Sequence, residues 1–225
     1  MIELAKPALD VGLFTNRREA MLAFWQTVVG LPFSELLPLG GGLQQHRHAI
    51  GQSVFKLNHA RAPLVDAPPS GIRTLLIADP ACTAPALLED PDGNRVRRVP
   101  PGFDGVDQLR IDLVVSDLAA HRAYYGDVLG LPVLDGNTFA CGVSQIRLTE
   151  GAATRDPVQQ AQGYRYLTVQ VFDVRATHAG ILARGGREGR PPVRLGDVAH
   201  ISFVRDPDGN WLEISQRKSI TGSLD

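Results

Sequence analysis

Residues 10–33 and 110–133 align without a gap, DVGLFTNRREAMLAFWQTVVGLPF over RIDLVVSDLAAHRAYYGDVLGLPV, so that each residue meets the one numbered a hundred later. Identities fall at Leu13/Leu113, Ala20/Ala120, Ala23/Ala123, Val28/Val128, Gly30/Gly130, Leu31/Leu131 and Pro32/Pro132, with aromatic pairs at Phe24/Tyr124 and Trp25/Tyr125. Such a repeat constrains the chain more than any single element: it must be built from tandem copies of one supersecondary unit.

Each copy reads as strand, helix, turn, strand. An apolar run opens it, and Asn16 in the first copy or Ser116 with Asp117 in the second supplies a helix N-cap. Ala20, Phe24 and Val28 recur at helical spacing, Gly30 ends the helix where a left-handed residue is wanted, and Pro32 cannot continue it. The remaining strands are GGLQQHRHAI with QSVFKLNH, and NTFACG with SQIRLTE. Gly40-Gly41-Gly42 lacks the Lys-Ser/Thr of a phosphate loop and reads as the flexible start of a strand or a bulge. A second repeated element, DPDGN, stands at 90–94 between ALLE and RVRRV and at 206–210 between HISFV and WLEIS. Its Asp-Gly and Gly-Asn steps supply the positive φ of a tight hairpin. Each DPDGN belongs to a module with its own opening strand, GIRTLLIAD or YRYLTVQVFD, which gives four modules. The second is abbreviated, because the stretch from Asp79 to Asp90 is far shorter than that from Asp173 to Asp206, by about a helix and a strand or two. Pro-rich connectors, HARAPLVDAPPS and VPPGFDGVDQ, place the boundary near Pro100 to Val106, between halves 1–104 and 105–225.

Lys and Arg number 23 against 24 Asp and Glu, a net charge of −1 that leaves no basic excess for nucleic acid. No stretch approaches the ~20 apolar residues a membrane helix needs. The opening MIELAKPALDVGLF has acidic Glu3 and no continuous apolar core of a secretory signal, so a cytoplasmic, reducing location is expected. Cys82 and Cys141 are far apart and without metal-binding spacing, and read as buried, reduced side chains. The partner to look for is a small molecule, with a homodimer left open.

A strand-helix-GLP turn followed by DPDGN and, in the last module, DPDGNWLEIS resembles the vicinal-oxygen-chelate superfamily of glyoxalases, bleomycin-resistance proteins and extradiol dioxygenases, over nearly the whole chain. The resemblance implies an α+β fold of tandem βαβββ modules whose two curved mixed sheets form cups with outer helices. It does not select an activity. Metal-dependent members hold an ion with His, Gln or Glu on the first strand of a module and a carboxylate on the last. Here the first-strand position carries Asp10, Ile72 or Arg73, Arg110 and Tyr166, and the last-strand position Lys56, Arg97, Arg147 and Glu213. Arg and Lys offer only donors and bind no metal, so the family's ligand set is largely absent and the cofactor stays open, a divalent metal included.

Strand alternation groups Gln44, His46 and His48 with Lys56 and Asn58 across the hairpin, joined by Asp10 from the first strand. His46, His48, Lys56 and Asp10 are the candidate catalytic set for proton transfer, and Asn58 a substrate contact. His46 and His48 with Asp10 could also seat a transition metal, or lie outside any cup as half-exposed strand residues. In the C-terminal half Arg110, Arg147, Tyr166 and Glu213 are expected to share a face, with His200 nearby. That group is either an anion clamp for substrate or a buried Arg-Glu pair in a vacated metal site. His121 and His178 are expected to face solvent, and His59 to point away from His46. Together these features suggest a small-molecule isomerase, epimerase or lyase acting next to a carbonyl. The alternatives are a metal-free binding or resistance protein and an extradiol-type dioxygenase.

Overall fold

The computed structural model describes residues 2–224. The first module runs β1 (Asp10–Thr15), α1 (Arg18–Ala23), β2 (Phe33–Gly40), β3 (Leu43–Ile50) and β4 (Ser53–Ala60). The second keeps only β5 (Ile72–Ala78), β6 (Ala86–Glu89) and β7 (Arg95–Val99), so it has lost its helix and one strand. The third comprises β8 (Leu109–Val115), α2 (Leu118–Ala123), β9 (Val133–Asp135), β10 (Thr138–Cys141) and β11 (Ser144–Glu150). The fourth comprises β12 (Gly163–Gln170), α3 (Val174–Ala183), β13 (Arg187–Leu195), β14 (Ala199–Arg205) and β15 (Trp211–Arg217), followed by a helical turn, α4 (Lys218–Thr221). The two copies of the repeat match element for element, and α1 and α2 both run on through one wide π turn.

Local chemistry accounts for the element ends. Asp117 and Asp173 accept from Ala120 N and Ala176 N at 2.9 Å, capping α2 and α3. Asn16 does not cap α1; its amide donates to the carbonyls of Ala60 and Ala62 and its oxygen accepts from Leu64 N, tying down the chain after β4. Gly93 and Gly209 take φ of 84° and 87° in the two DPDGN turns, and Asp90 and Asp206 each accept from the closing Asn at 2.8 Å.

The strands form two curved mixed sheets, ordered β13-β14-β15-β12-β1-β4-β3-β2 and β6-β7-β5-β8-β11-β10-β9. Modules one and four therefore share a sheet, and modules two and three share the other. This corrects the expected grouping of Tyr166 and Glu213 with Arg110 and Arg147: the first pair lies in the larger sheet and the second in the smaller. The two junctions across the 1–104/105–225 division are β1 with β12 and β5 with β8, both antiparallel. Within each half the modules are joined differently, from first-module helix to DPDGN turn. Trp25 Nε1 donates to Asp90 at 3.3 Å and Tyr125 OH to Asp206 at 3.4 Å. Ser116 N donates to Asp208 at 2.8 Å.

The main apolar core runs between the sheets, with the tilted rings of Trp25 and Phe55 packed at 4.0 Å between centroids. His121 and His178 are buried rather than solvent-facing: His121 Nε2 sits 3.5 Å from both Asp206 and Asp208, and His178 pairs with Glu188 at 3.0 Å. Cys141 is buried as expected, and burial pushes its thiol up to about 12; Cys82 is only half-buried. Among the described residues no helix is long and apolar enough to cross a membrane.

Candidate functional site

The concave face of the larger sheet encloses a cavity of about 300 Å³, at the small end of ligand sites. Its apolar wall is formed by Phe14 of β1, Leu37 of β2, Leu43 of β3, Tyr166 of β12, and Ile201 and Phe203 of β14. Its polar groups come from β3, β4 and β15 together with the segment before β12 and with Arg190 of β13.

The β3–β4 register decides which side chains enter. The turn holds two residues, Gly51 and Gln52, so that Ile50 pairs with Ser53, Arg47 with Lys56 and Gln45 with Asn58. Taking Gly51 alone as the turn would bring His46 and His48 beside Lys56 and Asn58; the added Gln52 shifts the pairing by one and turns both imidazoles to the other face. His46 and His48 accordingly pair with Leu57 and Phe55 on the convex side. There Gln26 Nε2 contacts His48 Nε2 at 3.0 Å, and Phe33 and Phe55 pack against the ring. Burial holds the His48 imidazole down at about 4 and also lowers His46 and His59. His59 lies on this convex face too, against expectation, because odd positions of β4 share it with even positions of β3. His200, next to Ile201 on β14, falls on the face away from the cavity. The geometry thus separates His46 and His48 from Lys56, and also from the metal set with Asp10.

Lys56, Asn58, Tyr166 and Glu213 do converge on the cavity. Lys56 Nζ donates to Thr168 Oγ1 and to Glu213 Oε2, both at 2.7 Å, and the Thr168 hydroxyl donates to the same Glu213 oxygen at 2.6 Å. Among the described residues Glu213 Oε1 carries no hydrogen bond. Asn58 Nδ2 donates to Tyr166 OH at 3.2 Å and Gln45 Nε2 donates to Asn58 at 2.8 Å. Burial, then the neighbouring Glu213 charge, pushes the Tyr166 phenol far above its usual value, so it stays protonated. Its ring crosses β1 at Gly12, where a Cβ would stand 2.0 Å from it; no larger residue fits there. Asp10, fully buried, does not line the cavity. It accepts from Val54 N at 2.8 Å and from Gln170, and pairs with Lys6.

The four family ligand positions of this sheet are thus Asp10, Lys56, Tyr166 and Glu213. A neutral phenol and an ammonium bound to the Glu213 carboxylate are not metal donors. With Lys56 bound to Glu213, the donor set does not fit a divalent ion. Arg110 and Arg147, two strand positions of the smaller sheet, do form an anion clamp, but its anion is Asp104 of the chain itself. Arg110 donates to Asp104 at 2.7 Å and to Asp112 at 2.9 Å, while Arg147 takes both Asp104 oxygens. The two guanidiniums, Arg147 first, hold the Asp104 carboxyl down at about 2. Phe103 and Val106 beside it pack on Leu76 and Val99, so the connector 100–106 covers this second cup.

Sequence reasoning missed Gln45, Arg47, Thr168, Gln159, Arg190 and Arg217, all of which line the cavity or its hydrogen-bonded floor. Thr168 was within reach, since it lies two residues beyond Tyr166 on one strand face. Arg47 and Gln45 needed the turn length.

Residues 106–214 match the model of the Glyoxalase/Bleomycin resistance protein/Dioxygenase superfamily. The lactoylglutathione lyase of Haemophilus influenzae is 30% identical in an alignment 136 residues long that covers 52% of this chain and 96% of that protein. Glyoxalase I from Zea mays has the same fold, with a TM-score of 0.73 at 14% identity over 96% of this chain and 92% of that one. The tandem modules, their paired sheets and these likenesses place the chain in the glyoxalase/bleomycin resistance/dioxygenase superfamily.

Proposed function

We propose that the larger cup is the active site of a lyase or isomerase that moves a proton next to a carbonyl, with Lys56 and Glu213 as its reacting pair. The observation that carries this reading is the Lys56–Thr168–Glu213 cluster on the concave cavity, with one carboxylate oxygen, Oε1, left without a partner among the described residues. Lys56 has three N–H donors and uses two of them inside the cluster, so a third remains for a substrate oxygen. The carbonyl oxygen takes that hydrogen bond; Glu213 Oε1 takes the proton from the adjacent carbon as the C–H electron pair moves into the enolate; Lys56 holds the charge on the enolate oxygen, and the protonated Glu213 returns the proton to the enolate at its carbon or its oxygen. Thr168 acts as a positioning residue, because its hydroxyl accepts from Lys56 while donating to Glu213. The name of the Haemophilus influenzae relative supports a lyase acting on a carbonyl compound.

Proton exchange reads this step directly. In D2O the protein is expected to catalyse exchange at C3 of 2-oxo-4-phenylbutanoate, followed by NMR, with S-lactoylglutathione as a second compound. Glu213→Gln should abolish exchange, and Lys56→Met should slow it by about a hundredfold or more. Exchange that survives Glu213→Gln would remove the assignment.

A further inference from the structure

Among the described residues four cations line the cavity, Arg47, Lys56, Arg190 and Arg217, against one carboxylate, Glu213. The rim adds Glu35, which lies 3.1 Å from Arg47 Nε and 3.8 Å from Arg217. Two positive charges remain in excess inside a chain of net charge −1. Arg47 is the least expected of them. It is only 6% exposed, yet its Nη1 has no hydrogen-bond partner among the described residues. A buried guanidinium nitrogen without an acceptor is left poorly satisfied, so an orphan at a ligand cavity marks where a ligand oxygen completes the set.

From this, and resting on the proton-transfer reading of the same cup, we infer that the substrate is an amphipathic 2-oxo acid whose carboxylate is taken by Arg47. Arg47 and Lys56 are direct partners across β3 and β4 on the concave face, so their Cβ atoms stand roughly 5 Å apart. A carbonyl and a carboxylate on adjacent carbons present their oxygens along one edge, where the Lys56 ammonium meets the first and the Arg47 fork the second. Phe14, Ile201 and Phe203 give the cavity an apolar wall, which suits an aryl or alkyl body. Arg217 adds a second positive charge, and Glu35 on the rim competes with the ligand for both arginines.

Titration calorimetry with 2-oxo-4-phenylbutanoate and with 4-phenylbutan-2-one, which differs in a methyl for the carboxylate, tests this. The wild type is expected to bind the acid at least tenfold more tightly than the ketone. Arg47→Met should remove that preference while leaving the ketone unaffected, Glu35→Gln should strengthen the acid, and Glu213→Gln should keep the preference. Binding of both compounds with equal affinity, or a preference that persists in folded Arg47→Met, overturns the inference while leaving the cup as a site. If Arg47→Met does not fold, Arg47→Lys, which keeps the charge and loses the fork, must bind the acid more weakly than the wild type. A preference for the acid without C3 exchange would instead leave the carboxylate clamp standing and overturn the proton-transfer reading. Binding of neither compound overturns both.

Discussion

His48 shows how much one residue of turn length decides. On the concave face it would be a titrating imidazole beside a carboxylate. On the convex face it is fully buried between Phe33 and Phe55, and burial depresses it to about 4. In the unfolded chain it takes up a proton below pH about 6.5, whereas in the fold it does so only near 4. Its contribution is therefore complete above pH 6.5, declines as the pH falls, and levels off below about 4, amounting to about 3 kcal/mol at most. Urea unfolding of the wild type and His48→Leu between pH 7.5 and 4 should show the wild type losing stability relative to the variant as the pH falls. Parallel curves would disprove it. Asp90, raised to about 6, has the opposite slope, which is why the difference between the two proteins is the quantity to measure. Lys56, Asn58, Tyr166 and Glu213 were legible as cup residues because they follow from the module pattern. Arg47 was not, because strand alternation fixes which residues share a face within a strand but not across a hairpin whose turn is one residue longer than the sequence suggests.

At the scale of the element, the connector 100–106 is the informative segment. Its composition marks it as a linker, and nothing local reveals that Asp104 will supply the acceptor for two arginines of the smaller sheet. Asp104 also adopts φ of 50°, a left-handed conformation that costs a non-glycine residue roughly 1 kcal/mol. The ion pairs and the Phe103 and Val106 contacts must outweigh that strain. Arg110 is almost wholly buried, so removing its partner leaves a charge poorly satisfied. Asp104→Ala should lose about 1–3 kcal/mol, and Asp104→Gly should lose less than Asp104→Ala by about 1 kcal/mol, since glycine relieves the strain. Chemical denaturation of the three proteins checks the order, and two variants as stable as the wild type would show that the clamp holds nothing. The repeated helices and both DPDGN turns were readable because their chemistry is local: a glycine at positive φ, an aspartate accepting from its own turn. The role of Asn16 was not, because its partners at Ala60, Ala62 and Leu64 lie some fifty residues on.

At the scale of the whole molecule, equivalent modules present equivalent edges, and the sequence cannot say which edge meets which. β8 is the repeat partner of β1, and β5 opens the second module as β12 opens the fourth, so the β1–β12 and β8–β5 junctions are one contact made twice. Each half keeps its own helix-to-turn contacts, Trp25 to Asp90 in one and Tyr125 and Ser116 to the 206–208 turn in the other. Residues 105–225 alone would keep the second set, which holds β8 and β12 in different sheets and leaves an unpaired edge on each. Unpaired edges of this kind seek a strand. Because β8 can stand in for β1, two copies of the fragment satisfy both edges at once, β8 of each against β12 of the other, in a closed twofold arrangement. The fragment should therefore run as a dimer in light scattering at micromolar concentration, and adding residues 1–104 should convert it to a one-to-one complex. A folded monomer of residues 105–225 with the stability of the intact chain would show that modules three and four can close a sheet by themselves, and that the crossing of the two halves is not what holds the cups together.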